Sequence, residues 1–367
     1  MTDQDYMERA LNLAERGRGK TNPNPMVGAV IVKNGTIIGA GYHQRYGDLH
    51  AERRALLNCE ASPLGATMYV TLEPCCHYGR QPPCTDAILE AGIARVVIGS
   101  ADPNPLVSGG GISLLRKSGI EVETGILKER CDALNQVFFH FIQTKTPYVV
   151  MKYAMTMDGK IATKTGASQW ITGEPARLRV HADRGFYSAI MVGVGTVLKD
   201  DPLLTCRIAE GRNPTRIICD TNLRTPTDSQ IVRSARKIPT IFAAGRPPAD
   251  KKSALEAAGC RVWELPGEHN QVHLRELAKR LGAEGIDSVL LEGGAVLNWA
   301  ALEAGIVQKV QTYLAPKLFG GAAASPVGGS GVALPAQAIC LKNTVVTQIG
   351  NDFLLESEVE TDVYRDC

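Results

Sequence analysis

Aromatic residues make up only 5% of this 367-residue chain, and neither sign of charge is in excess: 40 Lys and Arg stand against 38 Asp and Glu, a net charge of +2. A protein built mainly to bind nucleic acid needs a basic field for the phosphates and aromatic platforms for the bases, so both scarcities argue against that class. No apolar run approaches the roughly 18 residues that span a bilayer. The first residues, MTDQDYMERA, lack the basic-then-apolar order of a secretory signal. The expected setting is the cytoplasm, without membrane or nucleic-acid partners. Ten cysteines are present, but they are scattered along a long chain, so clustered thiols read as metal ligands rather than disulfides.

What is present is ordinary globular composition, with 44% hydrophobic and 21% charged residues, and 37 Gly and 20 Pro that punctuate short elements. At roughly 100 to 200 residues per domain, the length implies two domains. Thr2 and Asp5 form a capping-box start for a helix with Tyr6, Met7, Ala10, Leu11, Leu13 and Ala14 on its apolar face, stopped by Gly17 and Gly19. A hairpin follows, strands 26–32 and 36–42 joined by Lys33, Asn34 and Gly35, where Asn-Gly supplies the positive φ of a tight turn. Next come a helix at 51–58, a strand at 67–72, a helix at 85–91, a strand at 95–99, a helix at 112–117, a strand at 120–124 and one long helix at 128–143.

Lys-Thr-Pro at 145–147 closes that helix and a β-branched run begins, so the expected domains are 1–145 and 146–367. In the second, strands at 148–154, 189–194, 215–219, 240–243, 260–265, 288–292 and 307–314 alternate with helices at 176–184, 253–258, 274–281 and 295–304. That is the pattern of an open, largely parallel α/β sheet covered on both faces. A Gly/Ala/Ser-rich loop occupies 320–331.

His50, Ala51 and Glu52 open one predicted helix, and Pro74, Cys75, Cys76, His77 and Cys84 lie around the entry to the next. One imidazole and two thiolates would hold Zn²⁺ and leave the fourth tetrahedral position to a water whose pKa falls to about 7. Glu52, two residues beyond His50, would stand beside that water without binding the metal, placed to move protons. H-x-E followed by P-C and a further cysteine is the pattern of zinc deaminases. Their usual P-C-x-x-C is replaced here by Cys75 and Cys84 with CHYGRQPP between them. Cys75 directly follows the proline and Cys84 precedes Thr85 and Asp86 at a helix start, which favours this pair over Cys76 and His77 as ligands. The bland alternative is a closed structural zinc site with Cys76 or His77 as fourth ligand.

With TNPNPMVGAVIVKNG, HAE and EPCCHYGRQPPC, the first domain resembles the cytidine-deaminase-like superfamily, an α/β/α fold. The nearest likeness is to its subfamily of bifunctional riboflavin-biosynthesis deaminase/reductases, which has the longer Cys-to-Cys loop. The resemblance implies substrate contacts at Asn24, before the first strand, and at His43, Asp102 and Asn104, on loops near the same sheet edge. Read from the residues alone, His43, Asp102 and Asn104 serve equally well as turn and capping residues.

In the second half, MVGVGTVLKDDPLLTCR runs from a buried strand through a glycine turn into a polar loop, and LLEGGAVLNWAAL runs from a strand through Gly293-Gly294 into a helix. Both present backbone amides where phosphates bind. The first matches G-x-G-x-x-G only in part, because Leu198 occupies the third glycine position. These segments are similar to the reductase partner of that deaminase, which has a dihydrofolate-reductase-like α/β fold and uses NADPH. The similarity implies cofactor contacts at Ala154, Trp170, Thr196, Asp200 and the turn Gly294, Ala295, Val296, Leu297, Asn298, Trp299 and Ala300. It implies substrate contacts at Ser168, Arg184, Leu204, Arg207 and Glu292, with Arg184 and Arg207 suited to clamp a sugar phosphate. Lys152 is a further candidate to face the substrate, although strand lysines are usually exposed, and no general acid for a reduction is evident.

The expected enzyme therefore uses Zn²⁺ to deaminate 2,5-diamino-6-ribosylamino-4(3H)-pyrimidinone 5′-phosphate. It then uses NADPH to reduce the ribose to a ribityl chain. Its partners would be small pyrimidine ribosyl phosphates, and a homo-oligomer is the expected state. The rival readings are a nucleic-acid or free-base zinc deaminase, and a deaminase whose C-terminal domain only binds a ligand or dimerises.

Overall fold

The computed structural model describes residues 1–79, 81–104, 107–209 and 211–360. The chain forms two compact units, Met1–Lys145 and Thr146–Cys367. Among the described residues no helix is long and apolar enough to cross a membrane.

The first unit runs α1 (Asp3–Ala14), β1 (Gly28–Lys33), β2 (Thr36–Tyr42), α2 (Ala51–Leu57), β3 (Thr67–Leu72), α3 (Cys84–Glu90), β4 (Arg95–Ser100), α4 (Gly110–Lys117), β5 (Glu121–Thr124), α5 (Lys128–Leu134) and α6 (Gln136–Thr144). The capping box is formed at α1: Thr2 N donates to Asp5 Oδ2 at 2.7 Å, and Asp5 N donates to Thr2 Oγ1 at 3.3 Å. The sheet order is β2-β1-β3-β4-β5, antiparallel at β1 and parallel from β3 to β5. Strand alternation sends Val30, Val32, Tyr69 and Val97 to the α1 side. It sends Ala29, Ile31, Met68, Val70, Val96 and Ile98 to the side covered by α2, α3 and α4.

The helix expected at 128–143 is two helices, broken at Asn135 (φ −112°, ψ 21°). The Asn135 side chain takes the Met26 amide at 2.8 Å and donates to the Met26 carbonyl at 3.0 Å, so this tertiary anchor interrupts the helix.

The second unit runs β6 (Tyr148–Thr156), α7 (Glu174–Phe186), β7 (Ala189–Gly193), α8 (Val194–Asp200), β8 (Thr215–Cys219), α9 (Gln230–Arg233), β9 (Thr240–Ala244), α10 (Ala249–Ala257), β10 (Arg261–Glu264), α11 (Leu274–Ala283), β11 (Ser288–Leu291), α12 (Ala295–Glu303), β12 (Val307–Ala315), β13 (Leu341–Ile349) and β14 (Asp352–Val359). Its sheet order is β10-β9-β8-β7-β11-β6-β12-β14-β13. The strands are parallel from β10 to β12, and β14 and β13 close the edge antiparallel. One face packs Val149, Met151, Met191, Val289 and Leu291 under α11 and α12. The other packs Ile190, Val192, Ile218 and Phe242 under α8, α9 and α10.

In the second unit the short helix α9 was not expected, and two further features depart from the sequence reading. The polar loop expected after Gly193 begins as α8. The β13–β14 hairpin was not anticipated, because eight of the nine β13 residues are exposed and carry no apolar alternation.

Helix α2 lies close on β2 because Gly39 and Gly41 present no side chain to it. A Cβ at Gly41 would stand 2.5 Å from Ala55 N and 2.8 Å from Ala51 O, both backbone atoms that cannot swing aside. Gly41→Ala should therefore destabilise the first unit by about 2 to 3 kcal/mol, the cost of overpacking. Urea unfolding monitored in that unit checks this, and a loss below about 0.5 kcal/mol would mean that α2 tolerates displacement.

Candidate active sites

His50 is the N-cap of α2, in extended backbone (φ −67°, ψ 161°), and Cys84 is the first residue of α3. His50 Nδ1 lies 3.5 Å from Cys75 Sγ and 3.4 Å from Cys84 Sγ, and the Cys84 amide points at Cys75 Sγ from 3.4 Å. The three ligand atoms lie within 4.8 Å of one another, the one such group of His, Cys or acidic residues among the described residues. A tetrahedral ion with bonds of about 2.3 Å to sulfur and 2.0 Å to nitrogen spaces its ligand atoms by about 3.6 Å, so this soft donor set fits zinc. Hydrogen bonds from the Cys84 thiol first, and then from His50 and the Cys84 amide, draw the Cys75 thiol down to about 4 despite its burial.

Cys76 and His77 stand outside the group. Cys76 Sγ occupies the space beside Gly110, where a Cβ would come within 2.9 Å of it. His77 lies on the cavity wall. The loop between the two cysteines is held by hydrogen bonds: Arg53 donates to the Pro82 and Pro83 carbonyls at 3.1 and 2.7 Å, and Gln81 to the Gly47 carbonyl at 3.3 Å.

A cavity of about 270 Å³ opens over these ligands, and Glu52, Asn24, His43, Asp102, Asn104 and Phe138 share its wall. Glu52 is 3% exposed, and burial pushes its carboxyl above the ordinary range. His43 Nδ1 donates to the Leu49 carbonyl at 3.1 Å, which leaves Nε2 to accept from Asn24 Nδ2 at 3.2 Å. Burial lowers the His43 pKa, in keeping with that neutral tautomer. Burial also raises Asp102 to about 6 against the pull of the Asn104 amide. The sequence offered no signal for Phe138, which reaches this wall from α6.

The second unit holds a cavity of about 720 Å³ at the carboxyl ends of β6, β7, β8 and β11, where open α/β sheets gather their ligands. Ala154, Ser168, Thr196, Asp200, Glu292 and the turn residues Gly294, Ala295, Val296, Leu297, Asn298 and Ala300 line it. A Cβ on Gly195 would meet nothing within 4 Å, and one on Gly294 only Thr196 Oγ1 at 3.8 Å, so both helix starts expose open backbone. Asn298 is 2% exposed, with Nδ2 bonded to the Pro326 carbonyl at 2.8 Å and Oδ1 buried without a partner. Free amides and an orphaned acceptor suit a phosphate-bearing, amide-bearing cofactor such as a nicotinamide dinucleotide.

The remaining candidates stand elsewhere. Trp170 is exposed under the Arg177 guanidinium, 4.7 Å from the ring centroid. Trp299 turns to Ser330, its Nε1 donating at 3.0 Å. Leu204 is 3% exposed, its side chain packed in the core with Ile190 and Val192. Arg184 forks onto Glu292 through Nε and Nη2 at 2.7 and 2.8 Å, and its Nη1 reaches the Thr205 carbonyl at 3.3 Å. Arg207 is exposed.

Burial would raise Glu292, but Arg184 and Lys152 hold it at about 2. Lys152, the strand lysine named as a candidate to face the substrate, lines the cavity, and burial lowers its pKa. Its signal was faint: a lone lysine inside the β-branched run of β6.

Comparison with known proteins bears on both cavities. Residues 1–100 match the cytidine and deoxycytidylate deaminase zinc-binding region, and residues 147–355 match the RibD C-terminal domain. The riboflavin biosynthesis protein RibD of Actinobacillus pleuropneumoniae is 54% identical over 97% of this chain and 95% of its own length. That of Bacillus amyloliquefaciens is 43% identical over 99% of both. Among solved structures, Acinetobacter baumannii RibD superposes with a TM-score of 0.86 at 36% identity, over 98% of this chain and 99% of that one. A deaminase/5-amino-6-(5-phosphoribosylamino)uracil reductase from Thermotoga maritima superposes with a TM-score of 0.84 at 37% identity, over 98% and 99%.

The ligand geometry makes a direct prediction. The purified protein should carry zinc, Cys84→Ser should lose it, and Glu52→Gln should keep it. Elemental analysis that finds zinc lost in Glu52→Gln and retained in Cys84→Ser would overturn the assignment.

Proposed function

The chain belongs to the RibD family of riboflavin-biosynthesis enzymes, and from that membership and the two cavities we infer which residues carry its two reactions. It is a bifunctional enzyme, a deaminase of 2,5-diamino-6-ribosylamino-4(3H)-pyrimidinone 5′-phosphate and an NADPH-dependent reductase of the deaminated product, whose ribose becomes a ribityl chain. Residues 1–145 are assigned the deamination and 146–367 the reduction, the last of these, 361–367, lying outside the described residues.

The deaminase assignment rests on one observation, a buried carboxylate in the first turn of the helix capped by His50. Zinc, held by His50, Cys75 and Cys84, would supply an activated water. Glu52, with its affinity for protons raised by burial, takes a proton at its carboxylate and returns it to the departing amine. Asn24, His43, Asp102 and Asn104 orient the pyrimidine against that carboxylate.

NADPH supplies the hydride of the second reaction. The 294–300 turn, with Ala154, Thr196 and Asp200, would hold it, and Trp170 would flank it from outside the cavity. Opening the ribose leaves its ring oxygen in need of a proton. Lys152 and Glu292 are two titratable residues on that wall, which Ser168 also lines. With Arg184 committed to Glu292, the phosphate clamp falls to Arg207, and Leu204 contributes backbone alone. The setting we propose is cytoplasmic and homo-oligomeric, without nucleic-acid or membrane partners, in keeping with a net charge of +2.

Separate sites make separable defects. Glu52→Gln should cut deamination by about 10² to 10⁴-fold, the usual worth of positioned proton transfer, and leave reduction of the deaminated substrate intact. If the folded variant lost both activities, the assignment of one reaction to each unit would fail.

For the reduction, Arg207→Ala should raise the KM for substrate by about 10 to 100-fold, the worth of one charge-assisted hydrogen bond. NADPH affinity should hardly change. Gly294→Val should do the reverse by blocking backbone approach. Titrating each variant with each ligand decides this, and weakened NADPH binding in Arg207→Ala with unchanged substrate binding would mean the two ligands are placed the wrong way round.

A further inference from the structure

Glu73 lies two residues before Cys75, is 3% exposed, and has no part in the chemistry assigned above. Among the described residues no cation is paired with it. Instead its two oxygens accept from three backbone amides of one distant segment: Oε2 from Asp102 N at 3.3 Å and Gly109 N at 3.1 Å, and Oε1 from Ile112 N at 3.1 Å. Glu73 N donates in turn to the Ser100 carbonyl at 2.9 Å. The same segment is pressed onto the next residue, because a Cβ at Gly111 would stand 2.1 Å from the Pro74 carbonyl oxygen.

One side of this clamp carries a ligand atom and the other carries the wall. Asp102, Asn104 and Val107 all line the deaminase cavity, and Asp102 Oδ1 takes the Asn104 amide at 2.8 Å, which transmits the anchorage one step further along the wall. A buried carboxylate is costly unless its acceptor sites are filled. Here they are filled by amides whose spacing is set by the turn that leads into α4. Moving the segment would therefore strand both the carboxylate and the amides.

We propose that Glu73 is a positioning residue for deamination, whose carboxylate sets the distance between the Cys75 turn and the substrate wall at Asp102, Asn104 and Val107. It touches neither substrate nor metal in this role, so its loss should loosen substrate binding before it slows chemistry. The inference depends on placing deamination in this cavity, which Glu52→Gln tests by itself.

Glu73→Gln turns one acceptor oxygen into an NH₂ facing amide donors and removes at least one of the three bonds. The expected result is bound zinc at the wild-type level, a KM for the diaminopyrimidinone phosphate raised about tenfold, the size of one lost charge-assisted hydrogen bond, and a kcat changed by less than about threefold. Amide hydrogen exchange should speed up at Asp102, Gly109 and Ile112. Gly111→Ala, which pushes the segment off Pro74 and leaves the carboxylate in place, should raise KM in the same sense.

If Glu52→Gln abolishes deamination while Glu73→Gln leaves KM and exchange unchanged, the positioning role is wrong and the cavity assignment stands. If Glu73→Gln loses zinc, or drops kcat at constant KM, Glu73 serves the metal or the chemistry and the proposal is overturned. Should Glu73→Gln fail to fold, an unchanged KM in Gly111→Ala overturns it as well.

Discussion

Three ligand atoms meet within 4.8 Å only because two helices begin at the same place. Helix α2 starts at His50 and α3 at Cys84, and both lie on one face of a sheet whose central strands are parallel. The constraint beneath this is the close seat of α2 on β2. Gly39 and Gly41 leave no room for side chains against the Ala55 backbone, so the first turn of α2 has one position relative to the sheet. Glu52 inherits that position, and so does its burial. The buried Glu52 carboxylate is thereby placed by two glycines from the preceding hairpin.

The second cavity is organised by charge rather than by close packing. The fork from Arg184 to Glu292 joins α7 to the end of β11, with both side chains mostly buried. Breaking such a pair by removing one partner typically costs about 3 to 5 kcal/mol, because the other charge is left unpaired in a poorly solvated site. The pair fixes Glu292 as an anion and so gives Lys152 a counter-charge across the wall. Arg184, nominated by the sequence as a substrate contact, is thus paired with an acid of the cavity wall.

Both cavities lie where strands hand over to helices, and the two units solve the same problem differently. The first gathers soft side chains at two helix starts, which suits a metal. The second leaves the helix starts bare, with Gly195 and Gly294 open to the cavity, which suits phosphates that bind to backbone amides. A side chain at either glycine would fill the space a cofactor needs.

Local chemistry was legible in the sequence wherever it depended on neighbours along the chain. The capping box at Thr2 and Asp5, the Asn34-Gly35 turn, the alternation of strands and helices and the H-x-E and P-C pattern are all short-range, so residue order alone specified them. The β13–β14 hairpin escaped because an exposed strand needs no apolar period, and the break at Asn135 escaped because its cause, the Met26 backbone, lies 109 residues away. The same distance effect governs the sites. Sequence could nominate Arg184, Leu204, Lys152 and Glu292, but whether a side chain faces a cavity, a core or a counter-ion is decided by what the fold brings beside it. Arg184 met Glu292, Leu204 met the core, and Lys152 was turned inward on β6, because burial and charge pairing act through space between residues that the chain keeps far apart.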